Sequence, residues 1–284
     1  MAAEEQHGKG EETRPCAGRP GALEGPLRGR KVIVTRSEEK SEELSAALES
    51  LGARVFVIPV IRHALAADLE PLARALQQRA GYTHVAFTSQ TAARFFAEAS
   101  RKLGASPEDW AGKQIAAVGP KTAGALAEMG LAPAVVSAGG GAELARALLE
   151  QGGLTAGSKV LVPQSSQARP ELCRILQDAG IPVDAVTVYD TIPEEKSRVA
   201  PLLREALPAD AVLFASPSAF SAFLELAGER GRKALEEGAP RIVSIGPTTS
   251  AAISAAGYRI CAEADAPSAE ALAEATVRAI TGGD

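Results

Sequence analysis

Slid by 127 positions, the chain matches itself. His84–Phe96 (HVAFTSQTAARFF) falls on Ala211–Phe223 (AVLFASPSAFSAF), and Ile115–Leu126 (IAAVGPKTAGAL) falls on Ile242–Ile253 (IVSIGPTTSAAI). At a slide of 128, GRKVIV at Gly29 meets GSKVLV at Gly157, and Leu44, Leu48, Gly52 and Val55 meet Leu172, Leu176, Gly180 and Val183. Solenoid units repeat every 20 to 50 residues or so, so a period this long predicts two lobes of one design. A length of 284 residues leaves room for both.

Within each copy, short β-branched runs alternate with amphipathic Ala/Leu/Glu stretches. The strand runs are Lys31–Thr35, Arg54–Ile61, Thr83–Phe87, Gln114–Val118, Ala134–Val136, Lys159–Val162, Val183–Tyr189, Ala211–Phe214, Arg241–Ile245 and Tyr258–Cys261. Near-continuous apolar strands joined by helical crossovers mean parallel sheets covered on both faces. The expected fold is therefore α/β, two similar lobes, each a five-stranded parallel sheet of flavodoxin-like plan with helices on both faces.

The runs Arg54–His63 and Val183–Ile192 are about twice as long as the others. They are expected to bridge the lobes as a two-stranded linker, with linker segments at about 58–63 and 186–192. This makes the first lobe discontinuous, 29–60 plus 192–281, around a second lobe of 64–187. A plain cut near Gly157 is the alternative. Pro59 inside the first run favours an edge or linker position, because proline cannot donate to a ladder. Residues 1–28 mix charge with Gly and Pro without periodicity and are expected to form a disordered tail.

Composition excludes several classes of function. Net charge is −5 with scattered Lys and Arg, so no nucleic-acid partner is expected. No apolar run approaches a membrane span and the start of the chain has no signal core, so a cytoplasmic protein without a membrane partner is expected. Cys16, Cys173 and Cys261 lie far apart without metal-ligand spacing, and the three histidines (His7, His63, His84) include no i, i+4 pair. No metal site is expected, His84 reads as a strand-end residue, and monomer is the default for want of an obvious apolar face.

Chemistry is expected where strands end. In open parallel sheets, ligands bind beyond the carboxyl ends of the strands, where helix N-termini present unpaired N–H groups. Four junctions look alike: Thr88-Ser89-Gln90-Thr91, Gly119-Pro120-Lys121-Thr122, Ala215-Ser216-Pro217-Ser218 and Gly246-Pro247-Thr248-Thr249. The candidate binding residues are Thr88, Ser89, Gly119, Thr122, Ser216, Pro217, Ser218, Gly246, Thr248 and Thr249, joined by Thr35 and Arg36 after the first strand. Capping alone also explains Ser, Thr and Pro at such places. Arg169 follows the equivalent strand of the second copy. GPKT lacks the frame of a phosphate loop, and its duplicate carries Thr248 where it has Lys121. Gly139-Gly140-Gly141 reads as a turn into a helix. Tyr189, in the long second run, reads either as a proton donor or as a strand tyrosine with its ring in the core.

VIVTR at Val32, FTS at Phe87, AVGPKTA at Ala117, VYDT at Val188, FASPSAF at Phe214 and SIGPTTSAAI at Ser244, in this order, resemble uroporphyrinogen-III synthases over about Gly29 to Ile280. The resemblance implies a hydro-lyase that needs no cofactor and acts on a linear tetrapyrrole. Hydroxymethylbilane would be cyclised to uroporphyrinogen III with inversion of the last pyrrole ring and loss of water. Tyr189 matches the tyrosine proposed to assist departure of the hydroxyl. Pro163-Gln164 and the acidic tail depart from the usual pattern. A non-catalytic, two-lobed anion-binding protein is the competing reading.

Overall fold

The structure, a computed structural model, describes residues 25–282; the tail expected over residues 1–24 lies outside the described residues. The chain divides into two compact units, one made of residues up to Val60 and from Glu195 onward, the other of Ile61–Glu194. The first unit begins with β1 (Lys31–Val34), α1 (Glu38–Ser50) and β2 (Arg54–Val57). The second contains β3 (Ile61–Leu65), α2 (Glu70–Gln77), β4 (His84–Phe87), α3 (Gln90–Lys102), β5 (Gln114–Val118) and α4 (Gly119–Ala127). It continues through β6 (Pro133–Ser137), α5 (Gly141–Gln151), β7 (Val160–Ser165), α6 (Glu171–Asp178) and β8 (Val183–Pro193). The first unit is then completed by α7 (Lys196–Ala206), β9 (Ala211–Phe214), α8 (Pro217–Glu236), β10 (Arg241–Ser244), α9 (Pro247–Ala255), β11 (Ile260–Glu263) and α10 (Ala269–Thr281).

The first unit is built on a five-stranded sheet in the order β11-β10-β9-β1-β2, parallel throughout. Alternation decides which side chains meet which helices. Val32, Val34, Ala211 and Leu213 share a core with Leu44 and Leu48 of α1 and Leu272 and Ala275 of α10. Phe214 points the other way, onto Phe220 and Phe223 of α8. Burial on both faces is why β4 and β9 are apolar at nearly every position.

The second unit has six strands, β3-β8-β7-β4-β5-β6. Its parallel part, β8-β7-β4-β5-β6, repeats the order of the first sheet with β7 and β8 in the places of β1 and β2. Val85, Phe87, Ile115 and Leu161 face α2 and α3, while Ala86, Ala116, Val160 and Val162 face α5 and α6.

Three expectations need correction. Arg54–His63 is not one strand: it breaks at Ile58-Pro59-Val60 into β2 and β3, each at the edge of its sheet, where the missing proline N–H costs no ladder bond. The second sheet therefore has six strands instead of five. The two-stranded ladder exists, with antiparallel pairs from Ile61↔Pro193 to Leu65↔Tyr189, but it is the rim of that sheet, because β8 pairs with β7 before it pairs with β3. Finally, residues 25–28 are not loose. Leu27 is fully buried in the first unit's core, and its N–H donates to the Leu51 carbonyl at 2.9 Å. Gly25 allows that approach, since a Cβ there would lie 2.3 Å from the Leu51 oxygen.

Candidate functional site

Each sheet has a switch point where neighbouring strands send their chains to opposite sides, β1/β9 in the first unit and β7/β4 in the second. Ligand crevices of this fold open there. The two are not alike. Thr35 is buried, and its hydroxyl donates to the Leu213 carbonyl at 2.7 Å, so it ties β1 to β9 and has no donor left for a ligand. Pro163 stands 128 positions further on and has no N–H to offer. Pairing of β7 with β4 stops at Leu161↔Val85, one pair earlier than the matching ladder, which reaches Val34↔Leu213. The strands of the second unit thus part closer to their starts.

The serine junctions match closely. Ser89 (φ −159°, ψ 152°) and Ser216 (φ −163°, ψ 156°) are N-caps of α3 and α8, and their hydroxyls accept from Ala92 N at 3.0 Å and Ala219 N at 3.2 Å. The capping explanation is thus realised, and each hydroxyl keeps a proton to donate. Ser218 lies 3.1 Å from Ser216, oxygen to oxygen, and Pro217 opens α8 with its ring where no N–H is needed. Thr88 is half-buried, with its methyl near Gly141 at the start of α5.

The glycine junctions carry no side-chain cap, which leaves the first-turn N–H groups without side-chain partners. Gly119 requires its residue type, at φ 75°, whereas Gly246 is extended. Thr248 is exposed, but Thr122 and Thr249, in the first turns of α4 and α9, are buried. Along with Thr35, these two are the buried members of the expected ligand set. Behind α9, Ser244 donates to Ser250 at 2.6 Å and Ser250 donates to the Glu263 carboxylate, an arrangement without an equivalent at Ala117 and Ala123. Arg36 is half-buried beyond β1, and Arg169 is exposed.

Tyr189 owes its direction to an irregularity. β7 steps from Gln164 to Ser165 while its partner on β8 steps from Thr187 to Tyr189, so Val188 is an extra residue. Such a bulge re-aims the side chains that follow. Val188 and Tyr189, adjacent in sequence, consequently both join one core cluster, which a regular strand would forbid. Tyr189 is 9% exposed; its ring stacks on Phe95 of α3 at 5.2 Å and 19°, and meets the His63 ring edge-on at 5.2 Å and 84°. The ring belongs to the core cluster, at the rim of the sheet formed by β3 and β8. Sequence reasoning missed Phe95, His63 and the bulge; the one signal was an aromatic pair, Phe95-Phe96, on a helix that needs only one inward ring.

Two perturbed titrating groups lie at the other end of the sheet. Tyr82, before β4, donates to Asp184 at 2.5 Å, and Lys159, before β7, contacts the same oxygen at 2.7 Å. Burial and then this bond push the Tyr82 phenol well above its ordinary value. Burial alone would raise Asp184, but hydrogen bonds from Lys159 and Tyr82 outweigh it and the carboxyl is lowered. His84 is buried nearby, with Nε2 donating to the Gly152 carbonyl at 2.7 Å, a structural tie as its strand-end position suggested. Among the described residues, no three His, Cys, Asp or Glu side chains are grouped to hold a metal, and no helix is long and apolar enough to cross a membrane.

Comparison with known proteins agrees with this geometry. A family model described as uroporphyrinogen-III synthase HemD matches residues 42–274. The chloroplastic uroporphyrinogen-III synthase of Oryza sativa subsp. japonica is 30% identical over 261 residues, spanning 88% of this chain and 80% of the plant protein. Among solved structures, uroporphyrinogen-III synthetase from Helicobacter pylori has a TM-score of 0.56 at 20% identity, covering 86% of this chain and 97% of its own. A mutant uroporphyrinogen III synthase from the extremely thermophilic bacterium Thermus thermophilus has a TM-score of 0.52 at 22% identity, covering 90% and 100%. The two structures share the fold; the family model and the plant relative go further, and the chain belongs to the uroporphyrinogen-III synthase family.

Proposed function

We propose that this chain cyclises hydroxymethylbilane to uroporphyrinogen III, as a cytoplasmic, monomeric hydro-lyase that uses no cofactor. The observation that carries the reading, in a chain of this family, is the recurrence in both units of helix starts at the carboxyl ends of parallel strands: α3 and α4 in one, α8 and α9 in the other. The substrate is an octacarboxylate. First-turn N–H groups and cap hydroxyls accept carboxylates through local dipoles even on a protein of net charge −5. Thr88, Ser89, Gly119, Ser216, Pro217, Ser218, Gly246, Thr248 and Arg36 form the proposed binding set. Location and oligomeric state rest on composition.

In the reaction, the hydroxyl on the first ring leaves as water with a proton supplied to it, and an azafulvene cation remains. The substituted α-carbon of the last ring attacks that cation, and the spiro intermediate fragments and recloses with the ring inverted. Tyr189, the tyrosine at the β3/β8 rim, supplies the proton or orients the water that does. Since the untemplated chain closes without inversion, the main task of the protein is to hold it curled.

The test is to supply fresh hydroxymethylbilane, oxidise the product and separate the isomers. Excess type III over the enzyme-free control is expected. A type I product indistinguishable from the control overturns the assignment and leaves the anion-binding reading.

A further inference from the structure

Outside the helix starts, the most specific side-chain constellation lies on the β3/β8 ladder. His63 stands opposite Thr191 and Leu65 opposite Tyr189, so all four side chains share one face and His63 is the diagonal neighbour of Tyr189. Its Nδ1 lies 3.2 Å from the Thr191 hydroxyl, which anchors the ring. The centroids of His63, Tyr189 and Phe95 are separated by 5.2, 5.2 and 6.5 Å. An imidazole across the phenol from Phe95 would lie at nearly the sum of the two shorter separations from it. The triangle of centroids instead puts His63 beside the stack, nearly perpendicular to both rings. Phe95 thus stacks against the phenol ring, and His63 packs on that ring at right angles to the stack.

His63 itself is exposed, whereas Phe95 is half-buried and packed against the core. Because the His63 ring is exposed, His63→Ala is expected to leave the fold in place, which its urea midpoint checks. We propose that His63 is a positioning residue for Tyr189: held by Thr191, it fixes the phenol in the orientation from which it assists departure of the substrate hydroxyl. The inference rests on the proposed synthase activity and adds to it a residue that acts through the tyrosine.

A double-mutant cycle on hydroxymethylbilane turnover tests it, with His63→Ala, Tyr189→Phe and the pair, and with His63→Phe as the variant that keeps a ring but loses the anchor. His63→Ala is expected to lower kcat by about 3- to 10-fold with KM within about 2-fold, less than the loss from Tyr189→Phe, since a positioning group cannot cost more than the group it serves. In the Tyr189→Phe background, the same change should cost nothing further in kcat, and His63→Phe should recover only part of the loss. Equal losses in both backgrounds mean that His63 does not act through the hydroxyl and overturn the proposal. A second readout does not depend on turnover. The protein has three tyrosines, so ring-labelled carbon-13 tyrosine gives a spectrum in which the Tyr189 signal is the one missing from Tyr189→Phe. His63→Ala should shift or broaden that signal alone; an unchanged signal contradicts the inference. A wild-type protein that makes no type III isomer defeats the synthase reading, and the inference with it, whereas an active wild type with an unaffected His63→Ala variant defeats the inference alone.

Discussion

Thr35 and Pro163 occupy the same place in the two repeats and do opposite things, one closing a strand pair and the other leaving it open. Replacing Thr35 by Val keeps the volume but leaves the Leu213 carbonyl unpaired in a buried place, which costs about 1–3 kcal/mol. A urea titration should show that loss, while the type III fraction of the product stays unchanged. The caps behave alike in both units: Ser89→Ala and Ser216→Ala should each cost about 1 kcal/mol, read by the same titration. Tyr189→Phe should slow formation of uroporphyrinogen III by about 10- to 100-fold at most, because a hydroxymethylpyrrole expels water readily and one general acid contributes only part of the barrier. Unchanged turnover removes the tyrosine from the mechanism.

Elements show what a sequence can and cannot encode legibly. Strand cores such as HVAF and AVLF announce themselves, since burial on both faces leaves only apolar choices, and the helix starts were readable from Ser, Pro and Gly at strand ends. Burial at the junctions was not readable: Thr122 and Thr249 follow the same spelling as the exposed Thr248 but are buried. Register was also hidden. Nothing in IRHAL or YDTI says that His63 meets Thr191, because pairing is decided by distant residues, and the Val188 bulge that aims Tyr189 depends on how β7 ends. Leu27 falls within the expected tail because leucines scattered among charge, Gly and Pro have no periodicity, yet a single buried side chain and two main-chain bonds tie residues 27–29 to the first unit.

At the amino ends of β4, β7 and β8, Tyr82, Lys159 and Asp184 join three strand starts. Burial raises the Asp184 carboxyl, but its hydrogen bonds lower it further, so its folded value lies below the ordinary 3.8. This contribution to stability is present above the ordinary value and is lost as pH falls through the folded one. Tyr82, raised from 10.0, stabilises the fold below pH 10.0 and loses that contribution as pH rises beyond it. The urea midpoints of wild type and Asp184→Asn should therefore differ most near neutrality and converge on acidification below pH 4 or so. A constant difference would mean that the carboxylate charge is not what ties the strands.

For the whole molecule, the duplication matters more than any motif. Both parallel sheets have one strand order, but the second repeat enters it at a different strand, so β4 precedes β7 along the chain although β9 follows β1. The repeat was visible in the letters, and the discontinuous first unit followed from two long runs; the sixth strand did not, because the same run could serve as connector or as rim. A duplicated design supplies helix starts in pairs, and the proposed function has the helix starts of each unit accept carboxylates. Amide hydrogen exchange with and without uroporphyrinogen III tests this most directly. The account predicts slowed exchange in the first turns of α3 and α4 and also of α8 and α9; slowing confined to one unit, or absent from all four, contradicts it.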